Sequence, residues 1–373
     1  MAYFSSSDNL SSKESPKKLR SRNSCVKNLD SNKKEKAAMN MTICKKKLFE
    51  LCRSLLLFTA FAPLMALAQT PEKIIIKSHT PQDYADILSG RYKQAPVEIS
   101  GFLALPVGQG KFPAVVIVPG SGGYQQWMQD GVAKRLNEAG IATLIIDSFS
   151  ARGIGETATN QATVPMAASV IDGFAALQAL SKRPEIDASK VGVTGFSRGG
   201  VVAMFTQDRR LVQAMEQPEL EFAAHLPFYP GCATTFDKPI PTSAPSLFFM
   251  GEKDDYTPAA QCITYVERLK SGGAKVDLKI YPGAYHGWIS DAKQVVYLPR
   301  VQVFSKCDMR IDDAGVIREL GSGANTLQGW SAFVAKVWKA CGKSGANYGA
   351  NENAKQTSLF DMVSFFSLTL LRR

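Results

Sequence analysis

Large apolar residues are sparse up to about position 40 and dense across 54–67. From about 97 onward they fall into short blocks alternating with stretches of helical spacing. The short blocks are rich in β-branched residues and stop at Gly, Pro, Ser or Asp, the pattern of buried strands. They predict strands at 97–105, 114–118, 142–147, 191–194, 222–229, 246–250 and 275–281. Between them, helices are expected at 127–139 (closed by Gly140), 166–180, from 199 to 207, and at 259–269. Such alternation implies a mostly parallel sheet covered by helices on both faces. There is no internal repeat and no linker, so 69–373 reads as one α/β domain. The alternation fails at about 300–345, which reads as an insertion holding a turn at Asp312-Asp313-Ala314-Gly315 and a helix at 328–340. A last helix is expected at 357–371, with Phe360, Val363, Phe366 and Leu370 packed on the sheet.

The first 68 residues do not fit that domain. Residues 1–40 hold too little apolar surface to offset the entropy of ordering and read as a disordered extension. Residues 41–68 then give Lys45-Lys46-Lys47, an apolar run too short to span a bilayer, and Ala66-Leu67-Ala68. This is the order of a secretory signal peptide, with cleavage expected after Ala68. Initiation at Met39 or Met41 would make the signal ordinary in length, with a mis-assigned start upstream.

The charge follows the same division. The chain carries +11 overall, but residues 1–53 hold 13 Lys plus Arg against 5 Asp plus Glu. The domain itself is close to neutral, at +3, which removes the case for a nucleic-acid partner. No stable membrane insertion is expected once the signal is gone. Cys25, Cys44 and Cys52 leave with the leader, while Cys232, Cys262, Cys307 and Cys341 remain. An even number in an exported chain suggests disulfides, and of three connectivities Cys232–Cys262 with Cys307–Cys341 is favoured. No ligand spacing for zinc is present.

The chemistry concentrates at Gly195-Phe196-Ser197-Arg198-Gly199. A strand precedes it and a buried helix follows, the setting of a nucleophile elbow. Gly195 and Gly199 supply room for a turn that side chains would block. The chain offers Ser197 three histidines as a base. His79 lies ahead of the expected sheet, and His225 sits mid-strand as a packed core residue. His286, in a loop after the last strand, has the right place for the base. The acid should follow the strand between Ser and His, which selects Asp254, with Asp255 the runner-up. An oxyanion hole needs two backbone N–H groups. Arg198 should give one, and Ser121, or alternatively Gly122, the other, from Pro119-Gly120-Ser121-Gly122-Gly123. That Gly run lacks the Lys of a P-loop.

With these pieces in place the chain resembles the dienelactone hydrolase family of the α/β-hydrolase fold. The matching segments are 113–123, 147–153, 191–200, 251–258 and 281–288, within a resemblance spanning about 85–290 and resuming in the last helix. The resemblance implies a Ser197–Asp254–His286 triad, matching the assignment from the residues alone. Three features depart from it. The namesake enzymes use Cys where this chain has Ser197, the fold's frequent His-Gly at the oxyanion loop is Pro119-Gly120 here, and the insertion with its two cysteines looks like that of an exported branch.

The expectation is therefore an exported serine hydrolase cleaving small carboxylic esters or lactones, with no cofactor or metal. Peptidase or acyltransferase activity on the same triad, and a non-catalytic binding protein, are the alternatives. Tyr124, Trp127, Tyr256, Tyr285 and Trp288 are candidates for an acyl pocket. Arg152 or Arg198 could meet an anion, though each reads more readily as a structural ion-pair partner.

Overall fold

A computed structural model describes residues 70–372. The extension, the signal peptide with its cleavage site, and Cys25, Cys44 and Cys52 lie outside the described residues.

The described strands are β1 (Glu72–His79), β2 (Pro96–Ala104), β3 (Phe112–Val118), β4 (Ala142–Asp147), β5 (Ile186–Phe196), β6 (Ala224–Phe228), β7 (Thr234–Phe236), β8 (Ser246–Gly251), β9 (Val276–Tyr281), β10 (Val295–Val303), β11 (Met309–Ile311), β12 (Ile317–Glu319) and β13 (Lys343–Gly349). The principal helices are α1 (Met166–Ser181), α2 (Arg198–Phe205), α3 (Ala259–Ser271), α4 (Trp330–Cys341) and α5 (Glu352–Phe366).

Eight strands form the main sheet in the order β1-β2-β4-β3-β5-β6-β8-β9. β2 runs antiparallel to both its neighbours, and the other five pairs are parallel. Alternate side chains of β3 enter opposite cores. Val116 and Val118 belong to the core on the side of α1 and α2, while Val115 and Ile117 belong to the core that holds Met128, Leu136 and α5. Burial on both faces makes such a strand a continuous apolar block in the sequence. This is the α/β-hydrolase fold.

Several boundaries differ from expectation. The sheet begins earlier, at β1, so His79 ends a strand instead of preceding the sheet. β5 begins at Ile186 and is longer than the apolar block at 191–194. The expected helix at 127–139 is present, wound as a π-helix over Met128–Ala133 and as an α-helix over Lys134–Glu138. The last helix starts at Glu352, and its buried face is Leu359, Met362, Phe366 and Leu370. Phe360 is 70% exposed, because the register turns it away from the sheet.

The insertion is more regular than its sequence suggests. β10 pairs with β13 as a two-stranded ribbon, and β11 runs between β12 and β7 in a small sheet. Disulfides join Cys232 to Cys262 and Cys307 to Cys341. The first ties the segment after β6 to α3, and the second closes the insertion on itself. Among the described residues no helix is long and apolar enough to cross a membrane.

Candidate active site

β5 ends in the elbow. Ser197 has φ 55° and ψ −112°, a conformation that costs a non-glycine residue about 1–3 kcal/mol. The surroundings hold it there. A Cβ on Gly199 would lie 2.0 Å from the Val118 carbonyl, and one on Gly195 would lie 2.3 Å from the Gly199 carbonyl. The Ser197 amide donates to the Phe228 carbonyl at 2.9 Å, tying the turn to β6. α2 starts at Arg198, so its N-terminus faces the serine and favours negative charge there.

His286 comes from the loop after β9 and is buried. Its Nε2 lies 2.9 Å from Ser197 Oγ, and its Nδ1 lies 2.8 Å from Asp254 Oδ2. With Asp254 ionised, Nδ1 carries the proton and Nε2 is left to accept from the serine hydroxyl. Asp254 is itself held by four donors. Oδ1 accepts from the Tyr256 and Thr257 amides at 2.9 and 2.8 Å, while Oδ2 accepts from His286 and from Thr257 Oγ1 at 3.0 Å.

The runner-up acid is accounted for differently. Asp255 accepts from the Asn347 amide and from Asn347 Nδ2 at 2.9 and 2.8 Å, so it faces β13. The same strand holds the histidine loop, because the Gly349 amide donates to the His286 carbonyl at 2.9 Å. Asp254 and not Asp255 thus meets His286, and the insertion's return strand braces both loops.

The loop after β3 closes on the elbow. A Cβ on Gly120 would stand 3.0 Å from the Phe196 carbonyl and 3.5 Å from Ser197 Cβ. Ser121, Ser197 and Arg198 line one cleft. Arg198 is buried, and its side chain donates to Ser169 Oγ, Gln161 Oε1 and the Val164 carbonyl. Among the described residues no carboxylate pairs with it directly, and burial pulls its pKa down to about 10. Arg152, by contrast, pairs with the buried Asp172 at 2.7 Å and is a structural ion-pair partner.

His225 is fully buried with Nδ1 3.0 Å from the Ala203 carbonyl, away from the serine. Of the aromatic candidates only Tyr256 lines the cleft. Trp288 is buried in the core, where Nε1 donates to Ser358 Oγ. Trp127 packs on Phe196 and Tyr124 on Phe102. Sequence reasoning missed Thr257, Gln161 and the insertion's share of the cleft. Gln161 and the insertion carry no local motif, and Thr257 is marked only by its place three residues after Asp254. Among the described residues no cluster of His, Cys, Asp and Glu could hold a metal ion.

The sequence model of the dienelactone hydrolase family matches residues 99–305, more than half of the chain. A Bradyrhizobium protein described as a probable 2-oxo-3-(5-oxofuran-2-ylidene)propanoate lactonase is 26% identical over 196 residues, covering 50% of this chain and 77% of its own length. A protein of Aquifex aeolicus assigned as a carboxymethylenebutenolidase is 30% identical over 111 residues, 30% of this chain and 45% of its own. This chain therefore spans less than half of that relative. Among solved structures, a dienelactone hydrolase-like promiscuous phosphotriesterase from metagenomic libraries aligns with a TM-score of 0.49 at 16% identity, covering 81% of this chain and 99% of its own. The match over 99–305 places the chain in the dienelactone hydrolase family, a family of ester-bond hydrolases.

Proposed function

We propose that the chain is an exported serine hydrolase that opens carboxylic esters or lactones through an acyl-enzyme. The observation carrying this reading is the continuous hydrogen-bonded array Ser197–His286–Asp254, at 2.9 and 2.8 Å. Ser197 Oγ attacks the carbonyl carbon as His286 Nε2 takes its proton. Asp254 holds the imidazole in the required tautomer and stabilises its protonated form. Charge on the carbonyl oxygen is met by the backbone N–H groups of Ser121 and Arg198, with the α2 N-terminus behind them. His286 then protonates the departing oxygen. Water, deprotonated by the same imidazole, releases the acyl group and restores Ser197. No cofactor takes part.

A fluorophosphonate probe tests this reading directly. Purified protein should be labelled once, and Ser197→Ala should not be labelled. Absence of labelling in both would end the serine-hydrolase assignment. Faster turnover of amides than of matched esters would redirect it to a peptidase, and preferred transfer to added alcohols or amines to an acyltransferase.

The proposed location outside the cytoplasm is supported by the leader pattern and the two disulfides. Protein recovered from a bacterial periplasm should have a mass starting at Gln69 and lacking four protons. A retained leader would overturn it.

A further inference from the structure

The cleft beside Ser197 reaches beneath the insertion, which supplies Phe304, Met309, Ile317, Trp330, Phe333 and Val337 to its wall. This wall is fixed in advance. β11 pairs with β7, Gln261 Nε2 donates to the Ser305 carbonyl at 3.1 Å, and Trp330 Nε1 donates to the Ala162 carbonyl at 3.2 Å. The Cys307–Cys341 bridge joins the segment before β11 to the end of α4. The space is small, about 150 Å³. An apolar cavity of ~150 Å³ takes up one benzene ring. A single ring between aromatic walls fits such a space.

The apolar wall also holds unmatched polar atoms. Tyr84 is fully buried and its hydroxyl has no hydrogen-bond partner among the described residues. The Tyr256 hydroxyl is buried too, beside Gln161 but outside hydrogen-bond geometry. Burial pushes both phenols up, so both remain neutral hydroxyls able to donate and accept. Buried hydroxyls without partners are uncommon, and two in one ligand-sized cleft call for a partner from outside.

The cleft also has a side. Ser121, Ser197 and Arg198 line it, but His286 does not. The departing alcohol must stand against His286 Nε2 to be protonated, so the group in the cleft is the acyl part. We propose that the insertion makes this cleft a recognition pocket for an acyl group bearing one aromatic ring with a neutral oxygen substituent, such as a phenolic hydroxyl. Tyr84 and Tyr256 would satisfy that oxygen, and Trp330 and Phe333 would enclose the ring. This inference rests on the serine-hydrolase reading above.

The test compares kcat/KM on three p-nitrophenyl esters with one leaving group: butyrate, 3-phenylpropanoate and 3-(4-hydroxyphenyl)propanoate. The wild-type order should be hydroxyaryl above aryl above butyryl, with the hydroxyl worth about fivefold to tenfold, as for one neutral hydrogen bond. Tyr84→Phe should lower the hydroxyaryl-to-aryl ratio, and Tyr84→Phe with Tyr256→Phe should bring it close to one. Trp330→Ala should lower the aryl-to-butyryl ratio about tenfold, and Trp330→Leu by less. Fluorophosphonate labelling of each variant reports an intact elbow. A labelled wild type with no aryl preference, or with a hydroxyaryl ratio unmoved by Tyr84→Phe, overturns the pocket alone. Failure of wild type to label overturns the serine-hydrolase reading first. A 4-carboxyphenyl analogue turned over faster than the hydroxyaryl ester would overturn the neutral-oxygen assignment in favour of charge pairing with Arg198.

Discussion

Gln161 Nε2 donates to Ser121 Oγ at 3.2 Å. The other end of the same amide accepts from Arg198 Nη1 at 3.1 Å. One side chain therefore joins the two segments proposed to supply the oxyanion donors. Its own amide N–H is anchored on Gln302 Oε1 at 2.8 Å, so β10 sets its position. Gln161→Ala should lower kcat about tenfold with little change in KM, because the contact orients donors that act on the transition state. Gln161→Glu keeps an acceptor for Arg198 but loses the donor to Ser121. It should keep the thermal midpoint and still lose rate. Steady-state kinetics beside melting curves separate the two effects, and an unchanged kcat in both variants would remove Gln161 from the positioning network.

The two adjacent acids should behave very differently. Asp254 receives His286 Nδ1, whereas Asp255 receives Asn347. Asp254→Asn should cut kcat on the order of 10⁴-fold by leaving the imidazole in the wrong tautomer. Asp255→Asn weakens two bonds to β13 and should cost about 1–2 kcal/mol of stability while retaining most turnover. Comparable losses of kcat in both variants would contradict the assignment of the acid.

What the chain revealed before folding follows from which forces are local. The elbow was legible because its turn excludes side chains, which leaves glycine at 195 and 199. The central strands were legible because both faces are buried. β1 escaped because it is an edge strand, with Ile75 61% exposed between lysines. β13 escaped because Lys-Ser-Gly-Ala-Asn-Tyr-Gly has no apolar period, and its extended state comes from pairing with β10. Gln161 and Thr257 act through contacts that only the tertiary structure creates. The acyl pocket was sought among aromatics near the motifs, but most of its aromatic wall comes from a segment more than a hundred residues after Ser197.

The Cys307–Cys341 bridge closes a loop with a sequence separation of 34. Closure entropy for a loop of that size amounts to about 3.8 kcal/mol. Cys307→Ser with Cys341→Ser should therefore lower the thermal midpoint by several degrees. The insertion walls the acyl cleft, so the aryl-to-butyryl ratio should fall as well. Labelling of Ser197 should persist, since the elbow lies on β5 and α2. A variant with an unchanged midpoint would show that the ribbon and small sheet hold the insertion without the bridge.

His225 predicts a pH dependence of stability separate from that of catalysis. It is fully buried, and desolvation lowers its pKa from 6.5 to about 4. Between those values the unfolded chain binds a proton at this residue that the folded chain does not. Stability therefore rises with pH across that window and is lost as pH falls from about 6.5 toward 4. The full effect is on the order of 3 kcal/mol. His79 shifts in the same direction from a more exposed site, and lowered carboxylates such as Glu156 and Glu319 act only further into acid. In His225→Gln the residue cannot charge, though the Ala203 carbonyl keeps a possible donor. Its denaturant midpoint should be lower than wild type at pH 7.5 and should decline less steeply between pH 6.5 and 4.5. Parallel decline in the two proteins would mean that the imidazole is not held neutral in the folded chain.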